Sequence, residues 1–332
     1  MEDPANQFPL TAPMGSAHPA DHPANVLVRT DATGAIQLAL YVQWNETSDE
    51  DVLATRLEQL QSVCELNLSD TGVMDISFLT TCANITRLCL HRTIITDVSP
   101  LAACLSITYI DLSHALVSDI HALANCVNLV ELHLSDTFVA DISALAQCVN
   151  LAKLYLDHTF VADISALAKC AKLTNLYLHY SYVADISALS SCVNLGQLGI
   201  SYTLVNNLSA LCACEVLREL DISHTCIPEI SVLARCTFLG ILYLKHTNVA
   251  DISPLATCTR LNNLDVSYTR VADIFPLATC TRLNTLDVSY TRVADISPLA
   301  KCLKLDILYS NTLVSDTTPL GHLIERGLRI IG

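Results

Sequence analysis

Apolar residues recur along this chain at one constant spacing. From Leu151 the sequence reads LAKLYLDHTFVADISALAKCAK, and close copies of these twenty-two residues run from Val63 almost to the C-terminus. Cysteine marks the twentieth position of successive copies, without an insertion or deletion, at Cys82, Cys104, Cys126, Cys148, Cys170, Cys192, Cys214, Cys236, Cys258, Cys280 and Cys302. Such a period predicts stacked structural repeats, each in contact only with its neighbours.

Each repeat divides into two halves with different patterns. The first six residues alternate apolar and variable side chains, which is typical of a short strand with one buried face. Twelve parallel strands, one per repeat, would form a sheet about 55 Å long at a spacing of ~4.8 Å. The second half, D-I-S-x-L-A, predicts a short helical or 3-10 turn on the opposite side. Positions 1, 4, 6, 11, 14, 17 and 20 of the repeat are expected to point inward.

Acidic residues occupy position 13, directly before the predicted turn. A carboxylate there can accept free backbone N–H groups of the turn, which typically contributes ~1 kcal/mol per cap. Eleven of the 33 acidic residues are therefore interpreted as structural groups of the convex side: Asp75, Asp97, Asp119, Asp141, Asp163, Asp185, Glu229, Asp251, Asp273, Asp295 and Asp316.

The unit L-x-x-L-x-L-x-x-T-x-V-x-D-I-S-x-L-A-x-C-x-x resembles the leucine-rich repeat, whose signature is L-x-x-L-x-L-x-x-N-x-L. Its second half is similar to the 22-residue subclass found in bacterial internalins and in repeat-type regulatory subunits of protein phosphatase 1. Thr at position 9 and Cys at position 20 together resemble kinetoplastid-type proteins of this kind. The resemblance implies an α/β leucine-rich repeat solenoid of about twelve repeats, with a curved parallel sheet on the concave side and 3-10 turns on the convex side.

The ends of the chain depart from the repeat. Residues 1–24 hold five of the eleven prolines and little to bury, so we expect them to be disordered. Residues 25–62 are predicted to form an N-terminal cap, with a hairpin at 26–42 and a helix at 48–60. The repeat array is assigned to 63–320 and a C-terminal cap, with a short helix and a final strand, to 321–332. Caps are expected because the ends of a solenoid otherwise expose apolar faces.

Composition limits the classes of partner and the cellular compartment. No run of eighteen apolar residues occurs, so insertion into a membrane is not expected. The first residues lack a basic segment followed by an apolar one, and we therefore expect a cytoplasmic protein with reduced cysteines. The formal charge of −15 disfavours nucleic acid as a partner, because binding to phosphates draws on Lys and Arg.

The cysteine column admits two interpretations. Zinc ligands come as thiolates separated by only a few residues, whereas these cysteines are twenty-two residues apart. Free cysteine is among the most buried residue types and behaves as a small hydrophobe, so the column is predicted to fill the core where relatives have Leu. The Thr column at position 9 is predicted to satisfy backbone groups at the bend that follows the strand.

Tyrosine and histidine concentrate at positions 5 and 8, which are expected to face away from the core on the concave side. Tyr is enriched at protein interfaces, so these positions predict a partner-binding surface. The alternative is that Tyr and His are strand formers copied by duplication, which is visible in the nearly identical segments 256–274 and 278–296. The predicted partner-binding residues are Tyr155, His158, Tyr177, Tyr180, Tyr202, His224, Tyr243, His246, Asp265, Tyr268, Asp287 and Tyr290.

Catalytic and cofactor motifs are not found in the sequence. His224 and His246, near Asp221, could in principle hold a metal or act as an acid–base group, but an open sheet offers no enclosed pocket to shift their pKa. Gly199 on a strand predicts either a change of curvature or a point of close approach. We expect a monomeric, non-enzymatic scaffold for protein–protein interaction, without cofactor or metal. A regulatory or targeting subunit of an enzyme such as a protein phosphatase is the alternative, and a host-facing effector or adhesin is the third hypothesis.

Overall fold

A single open sheet runs through the computed structural model, which describes residues 25–30, 38–41 and 63–332. Strand β1 (Asn25–Thr30) pairs antiparallel with β2 (Leu38–Tyr41) and, on its other side, with β3 (Val63–Asn67). The expected hairpin at 26–42 is consistent with this pairing. The helix expected at 48–60 and the segment 1–24 lie outside the described residues, so the assignment of an N-terminal cap stays a prediction.

From β3 onward, thirteen strands lie side by side in parallel, and the sheet is not closed. Each strand pairs with the next at a shift of twenty-two residues, so that Tyr155 lies opposite Tyr177. Every position of the repeat therefore faces the same position in both neighbouring coils. The remaining strands are β4 (Arg87–Cys89), β5 (Tyr109–Asp111), β6 (Glu131–His133), β7 (Lys153–Tyr155), β8 (Asn175–Tyr177), β9 (Gln197–Gly199), β10 (Glu219–Asp221), β11 (Ile241–Tyr243), β12 (Asn263–Asp265), β13 (Thr285–Asp287), β14 (Ile307–Tyr309) and β15 (Arg329–Ile331).

A 3-10 turn follows each repeat strand, as the D-I-S-x-L pattern predicts. In every coil except the one with Glu229, the side chain at position 13 accepts the N–H of the residue two positions later at 2.7–2.8 Å. The acceptor is Asn207 in one coil and Asp in the others. The turns span Ser77–Thr81, Ser99–Ala103, His121–Asn125, Ser143–Gln147, Ser165–Lys169, Ser187–Ser191, Ser209–Ala213, Ser231–Arg235, Ser253–Thr257, Phe275–Thr279, Ser297–Lys301 and Thr318–Leu320. Helix α1 (Gly321–Ile324) and β15 then supply the short helix and the strand expected at 321–332.

The core consists of the seven inward columns that the periodicity predicts. In the coil that starts at Leu151, the side chains at these positions are all buried, and Cys170 is at 0% exposure. All eleven in-register cysteines are buried, and none is in a disulfide, which confirms their predicted role as core residues. Each thiol also donates to a backbone carbonyl, as Cys148 Sγ does to Leu123 O at 3.4 Å, so the column contributes polar contacts between coils that the sequence did not reveal.

The Thr column at position 9 bonds within its own coil. Thr159 Oγ1 donates to Leu156 O at 2.7 Å, and Ser181 makes the same bond to Leu178 O. The prediction that these hydroxyls satisfy backbone groups at the bend is confirmed. The bond closes the bend of one coil and does not join it to the next, because the acceptor lies only three residues earlier.

Replacing Cys170 by Ser should destabilise the protein more than replacing it by Ala. The carbonyls of Leu145 and Cys148 lie 3.6 and 3.7 Å from Sγ, which suits sulfur but is too far for a hydroxyl that needs about 2.5–3.0 Å. We expect Cys170→Ser to lower the free energy of unfolding by about 1–3 kcal/mol, with a smaller loss for Cys170→Ala. Urea denaturation measures both, and a more stable Ser variant would contradict the apolar interpretation.

The cysteine column should also resist thiol reagents in the native state. Burial raises the pKa of Cys170 to about 12 and that of Cys148 to about 11, so at about pH 8 neither presents a thiolate. Cys212 and Cys226 are exposed and serve as internal controls. Mass spectrometry after brief native labelling should find the reagent on these two and on the column only after denaturation. Rapid native labelling of Cys148 and Cys170 would show that the core is open.

Candidate partner-binding face

The predicted partner-binding residues lie in two rows along the sheet. Side chains at position 5 project from the strands themselves, and we call them the strand row: His133, Tyr155, Tyr177, Asp221, Tyr243, Asp265 and Asp287. Side chains at position 8 lie in the turn after each strand, so they follow the C-terminal ends of the parallel strands. We call them the edge row: His158, Tyr180, Tyr202, His224, His246, Tyr268 and Tyr290.

Aromatic rings of the strand row stack across neighbouring coils in the N-terminal half. The His133 and Tyr155 rings are 4.2 Å apart between centroids, and the Tyr155 and Tyr177 rings are 5.2 Å apart. These rings are half-buried, and burial raises the pKa of both tyrosines. The hydroxyls therefore stay protonated at neutral pH, and that of Tyr177 donates to Gln197 Oε1 at 3.1 Å.

The edge row forms one unbroken series of seven rings. Adjacent ring centroids from His158 to Tyr290 are 4.0–4.5 Å apart. The register places each ring beside the next, and the tyrosines of the row remain exposed, with 43% exposure at Tyr202 and 54% at Tyr290. The row therefore presents ring edges and hydroxyls to solvent over seven consecutive coils.

The backbone at position 8 adopts a left-handed conformation throughout the array. All eleven residues at this position have φ between 52° and 59°. That region costs a non-glycine residue about 1–2 kcal/mol, and Tyr is not among the residues that favour it. Ring stacking contributes about 0.5–1.5 kcal/mol per pair beyond burial, which is of comparable size. The same φ at Arg92 and Asp136 shows that the turn itself sets this conformation, and stacking offsets its cost at the tyrosines of the row.

His179 fills a gap in the strand row. Gly199 stands where the neighbouring coils have Tyr177 and Asp221, and a Cβ there would lie only 2.1 Å from His179 Nε2. The imidazole is held by Ser201, whose Oγ lies 2.6 Å from Nδ1, and the backbone N–H of His179 donates to Asp157 Oδ1 at 2.9 Å. The close approach expected at Gly199 is therefore made by a side chain of the protein itself. Position 7 is Ser in most coils but His at 179, and this departure next to Gly199 in the following coil could have indicated the contact from the sequence.

The face becomes acidic toward the C-terminal coils. Asp221, Asp265 and Asp287 lie on β10, β12 and β13, around Lys245 on β11's adjoining turn. Burial raises the pKa of Asp265, whereas burial lowers the pKa of both His224 and His246. The two imidazoles are therefore neutral at pH 7, and negative charge dominates this end of the face.

Metal-binding geometry is not found on this face. The rings of His224 and His246 are 4.5 Å apart and tilted by 32°, as members of the edge row. Within the described ranges, no three or more His, Cys, Asp or Glu side chains are grouped so that they could hold a metal ion. In the same part of the chain, no helix has the length and apolar character needed to cross a bilayer.

An open parallel sheet with a 3-10 turn in each 22-residue coil defines a leucine-rich repeat solenoid. An internalin (InlF) from Listeria monocytogenes is similar over 83% of this chain and 88% of its own, with a TM-score of 0.78 and 25% identity. A leucine-rich repeat protein of Leptospira interrogans has a TM-score of 0.77 and 15% identity over 82% of this chain and 73% of its own. The plant peptide hormone receptor RGFR1 in complex with RGF2 has a TM-score of 0.65 and 15% identity over 76% of this chain and 48% of its own.

The likeness to leucine-rich repeat proteins is found by comparison with solved structures and not by comparison with family models or curated proteins. No protein-family model matches this chain, and no curated protein matches it. Structural neighbours with this fold are mostly protein-binding scaffolds and receptors, and they are generally interaction domains without catalytic activity. These likenesses establish the leucine-rich repeat architecture and support a role in protein interaction.

Gly199→Ala tests how tightly His179 is held in the gap. The added Cβ would meet the imidazole at 2.1 Å and Tyr177 Cδ1 at 2.9 Å, so at least one ring must move. Overpacking of this kind typically costs about 1–3 kcal/mol, which urea denaturation would detect. Gly240→Ala is the matched control, because its Cβ would find only ordinary contacts at 3.7 Å. Equal stability of the two variants would mean that His179 leaves the gap freely.

Proposed function

We propose that this protein is a non-enzymatic scaffold that binds a protein partner through its concave face. The observation that carries the proposal is the edge row, in which seven adjacent rings line the sheet and six of them are exposed. Rigid aromatic residues with a polar group contribute disproportionately to protein interfaces, since they bury a large area at low entropic cost. The strand row supplies further rings in the N-terminal half and carboxylates in the C-terminal half.

The dimensions of the face favour a macromolecular partner. Seven coils at ~4.8 Å span about 29 Å from the first to the last ring of the edge row. Small-molecule sites are concave pockets that enclose most of the ligand's surface, whereas this row lies on an open sheet. The negative charge of the chain and of the C-terminal strands argues against nucleic acid. The proposal includes a monomeric, cytoplasmic protein without a cofactor.

Two other roles would use the same face. A regulatory or targeting subunit of an enzyme such as a protein phosphatase would hold the enzyme or its substrate there. A host-facing effector or adhesin would use the face outside the cell, and the likeness to internalins supports that possibility at the level of the fold. The identity of a captured partner distinguishes the three roles.

Loss of two edge-row rings should weaken binding strongly without unfolding the protein. Tyr180 and Tyr202 are 44% and 43% exposed and lie outside the core, so the variant Tyr180→Ala with Tyr202→Ala should still fold. It loses three ring contacts of about 0.5–1.5 kcal/mol each, so its melting temperature should fall moderately while unfolding stays cooperative. Truncation of interface hot spots typically costs about 2 kcal/mol or more, so affinity should fall by at least about tenfold. The measurement is quantitative pull-down from cells of the source organism, followed by titration of the captured partner.

The matched control is Lys169→Ala, which changes an exposed residue in a convex 3-10 turn. This variant should capture the partner as well as the unaltered protein does. Weakened capture by Lys169→Ala, together with normal capture by the Tyr180/Tyr202 variant, would place the binding site on the convex side and contradict the proposal. Co-purification of a phosphatase through the concave face would favour the regulatory-subunit role.

A further inference from the structure

A second exposed row lies at position 10, outside the concave face, and the periodicity had marked this position only as variable. Over six consecutive coils its side chains are apolar and 44–62% exposed. We call these residues the apolar stripe: Ile94, Leu116, Phe138, Phe160, Tyr182 and Leu204. Single exposed apolar residues are common on protein surfaces, whereas a contiguous line of them marks an interaction site.

The local geometry makes the stripe accessible to solvent. Positions 9 and 11 turn inward, as Thr159 and Val161 do, so the residue between them points outward. The rings of Phe138 and Phe160 are 6.3 Å apart, and those of Phe160 and Tyr182 are 6.1 Å apart, with nearly parallel planes. Small residues at position 12 leave the convex flank of the stripe unobstructed: Ala140, Ala162 and Ala184.

A row of carboxylates runs parallel to the stripe on this flank. Asp141 and Asp163 follow Phe138 and Phe160 by three residues, which is at most about 10 Å along an extended chain. Both are exposed, and hydrogen bonds from Ser143 and Ser165 lower the pKa of their carboxyl groups. They are therefore negatively charged at neutral pH. The opposite flank, at position 8, carries Arg92, His114 and Asp136 beside the first three residues of the stripe, and the edge-row rings beside the last three.

A depression between two coils opens beside the stripe and holds two of these carboxylates. Its volume is about 320 Å³, and its walls are formed by Ala140, Asp141, Ser143, Asp163, Ser165 and Ala166. The two carboxylates accept from the N–H groups of Ser143 and Ser165, and His121 Nε2 lies 3.6 Å from Asp141 Oδ2. Their remaining lone pairs lie beside apolar methyl groups, which suits the ammonium of Lys or the guanidinium of Arg. The apolar stripe thus has a flank that can bind cations.

We propose that the apolar stripe is a docking surface for a basic amphipathic helix of a partner protein. The six side chains span about 24–30 Å, which is the length of a helix of about 16–20 residues. The ring spacing of 6.1–6.3 Å is near the 5.4 Å helical pitch, so successive turns can each place an apolar side chain between rings. Lys and Arg on one side of that helix then meet the Asp141 and Asp163 row.

A helix fits this surface better than a second copy of the chain does. Stable dimers bury roughly 800 Å² per partner, whereas the stripe is one side chain wide and has the carboxylate row along its convex flank. Two copies would also bring identical negative flanks to the interface. A helix with apolar and basic faces can cover the apolar stripe and pair with the carboxylate row at the same time. The stripe adjoins the edge row at Phe160, Tyr182 and Leu204, but the proposal does not depend on the function proposed for the concave face.

The proposal can be tested with a designed peptide and the full-length protein. The probe is a fluorescein-labelled helical peptide of about 18 residues, with Leu at every third or fourth position and Lys along one side of the Leu face. One control peptide has Glu in place of Lys, and another has the same composition in scrambled order. Fluorescence anisotropy should show saturable binding of the Lys peptide, with binding at least about tenfold weaker for both controls.

Surface variants locate the site. Phe138→Ser with Phe160→Ser should weaken binding of the Lys peptide by at least about tenfold. The variant should fold, because half of each ring is exposed. Asp141→Asn with Asp163→Asn should weaken it by about threefold and reduce the effect of added salt. Asn keeps the cap in this substitution, since Asn207 already accepts the Ser209 N–H at 2.7 Å in its own coil. Melting temperatures measured in parallel confirm that the variants fold.

Three results would overturn the proposal. Equal binding of all three peptides would show that no helix is recognised. If the Phe138/Phe160 variant binds the Lys peptide normally and the Tyr180/Tyr202 variant does not, the peptide binds at the concave face. The function proposed for that face would then still stand. Sedimentation of the chain as a dimer that the Phe138/Phe160 variant converts to monomers would identify the stripe as an interface between copies.

Discussion

The structure depends on one constraint, which is that each coil buries its apolar side chains only by stacking on identical positions of its neighbours. A shift of twenty-two residues between paired strands brings Leu154 opposite Leu176 and Tyr155 opposite Tyr177. Any residue type that recurs at one position therefore becomes a continuous row through the molecule. The buried thiols, the carboxylates at the 3-10 turns and the stacked rings of the edge row all follow from this register.

The period predicted the inward columns and the turns because burial in a stack is decided by position in the repeat. Cys170 and Val161 could be assigned to the core for that reason, and Asp163 to the start of a turn. The left-handed backbone at Tyr202 could not be predicted, since Tyr has no preference for it and the stacking that stabilises it acts between coils. The contact of His179 with Gly199 is also between coils, and the exposed line that includes Phe160 emerges only when six coils are aligned in space.

Two surfaces of different chemistry result from the same register. The concave face combines half-buried tyrosines, an exposed row of rings and carboxylates toward β13, which suits a broad protein interface. The apolar stripe is narrow and lies beside negative charge, which suits a single basic helix. Because the strands and 3-10 turns repeat so regularly, both surfaces are held by the same core, and substitution of exposed residues on one should leave the other unchanged.

Deletion of one whole coil tests the register most directly. Removing residues 261–282 joins Arg260 to Leu283 and recreates the local sequence that precedes Leu283 in the unaltered chain, because the segments 256–274 and 278–296 are nearly identical. His246 would then stack on Tyr290 in place of Tyr268. The shortened chain should unfold in one cooperative transition in urea with its column thiols protected, whereas removal of residues 261–271 alone should abolish that transition. Loss of cooperative folding on removal of the complete coil, or its retention on removal of the half coil, would contradict the account.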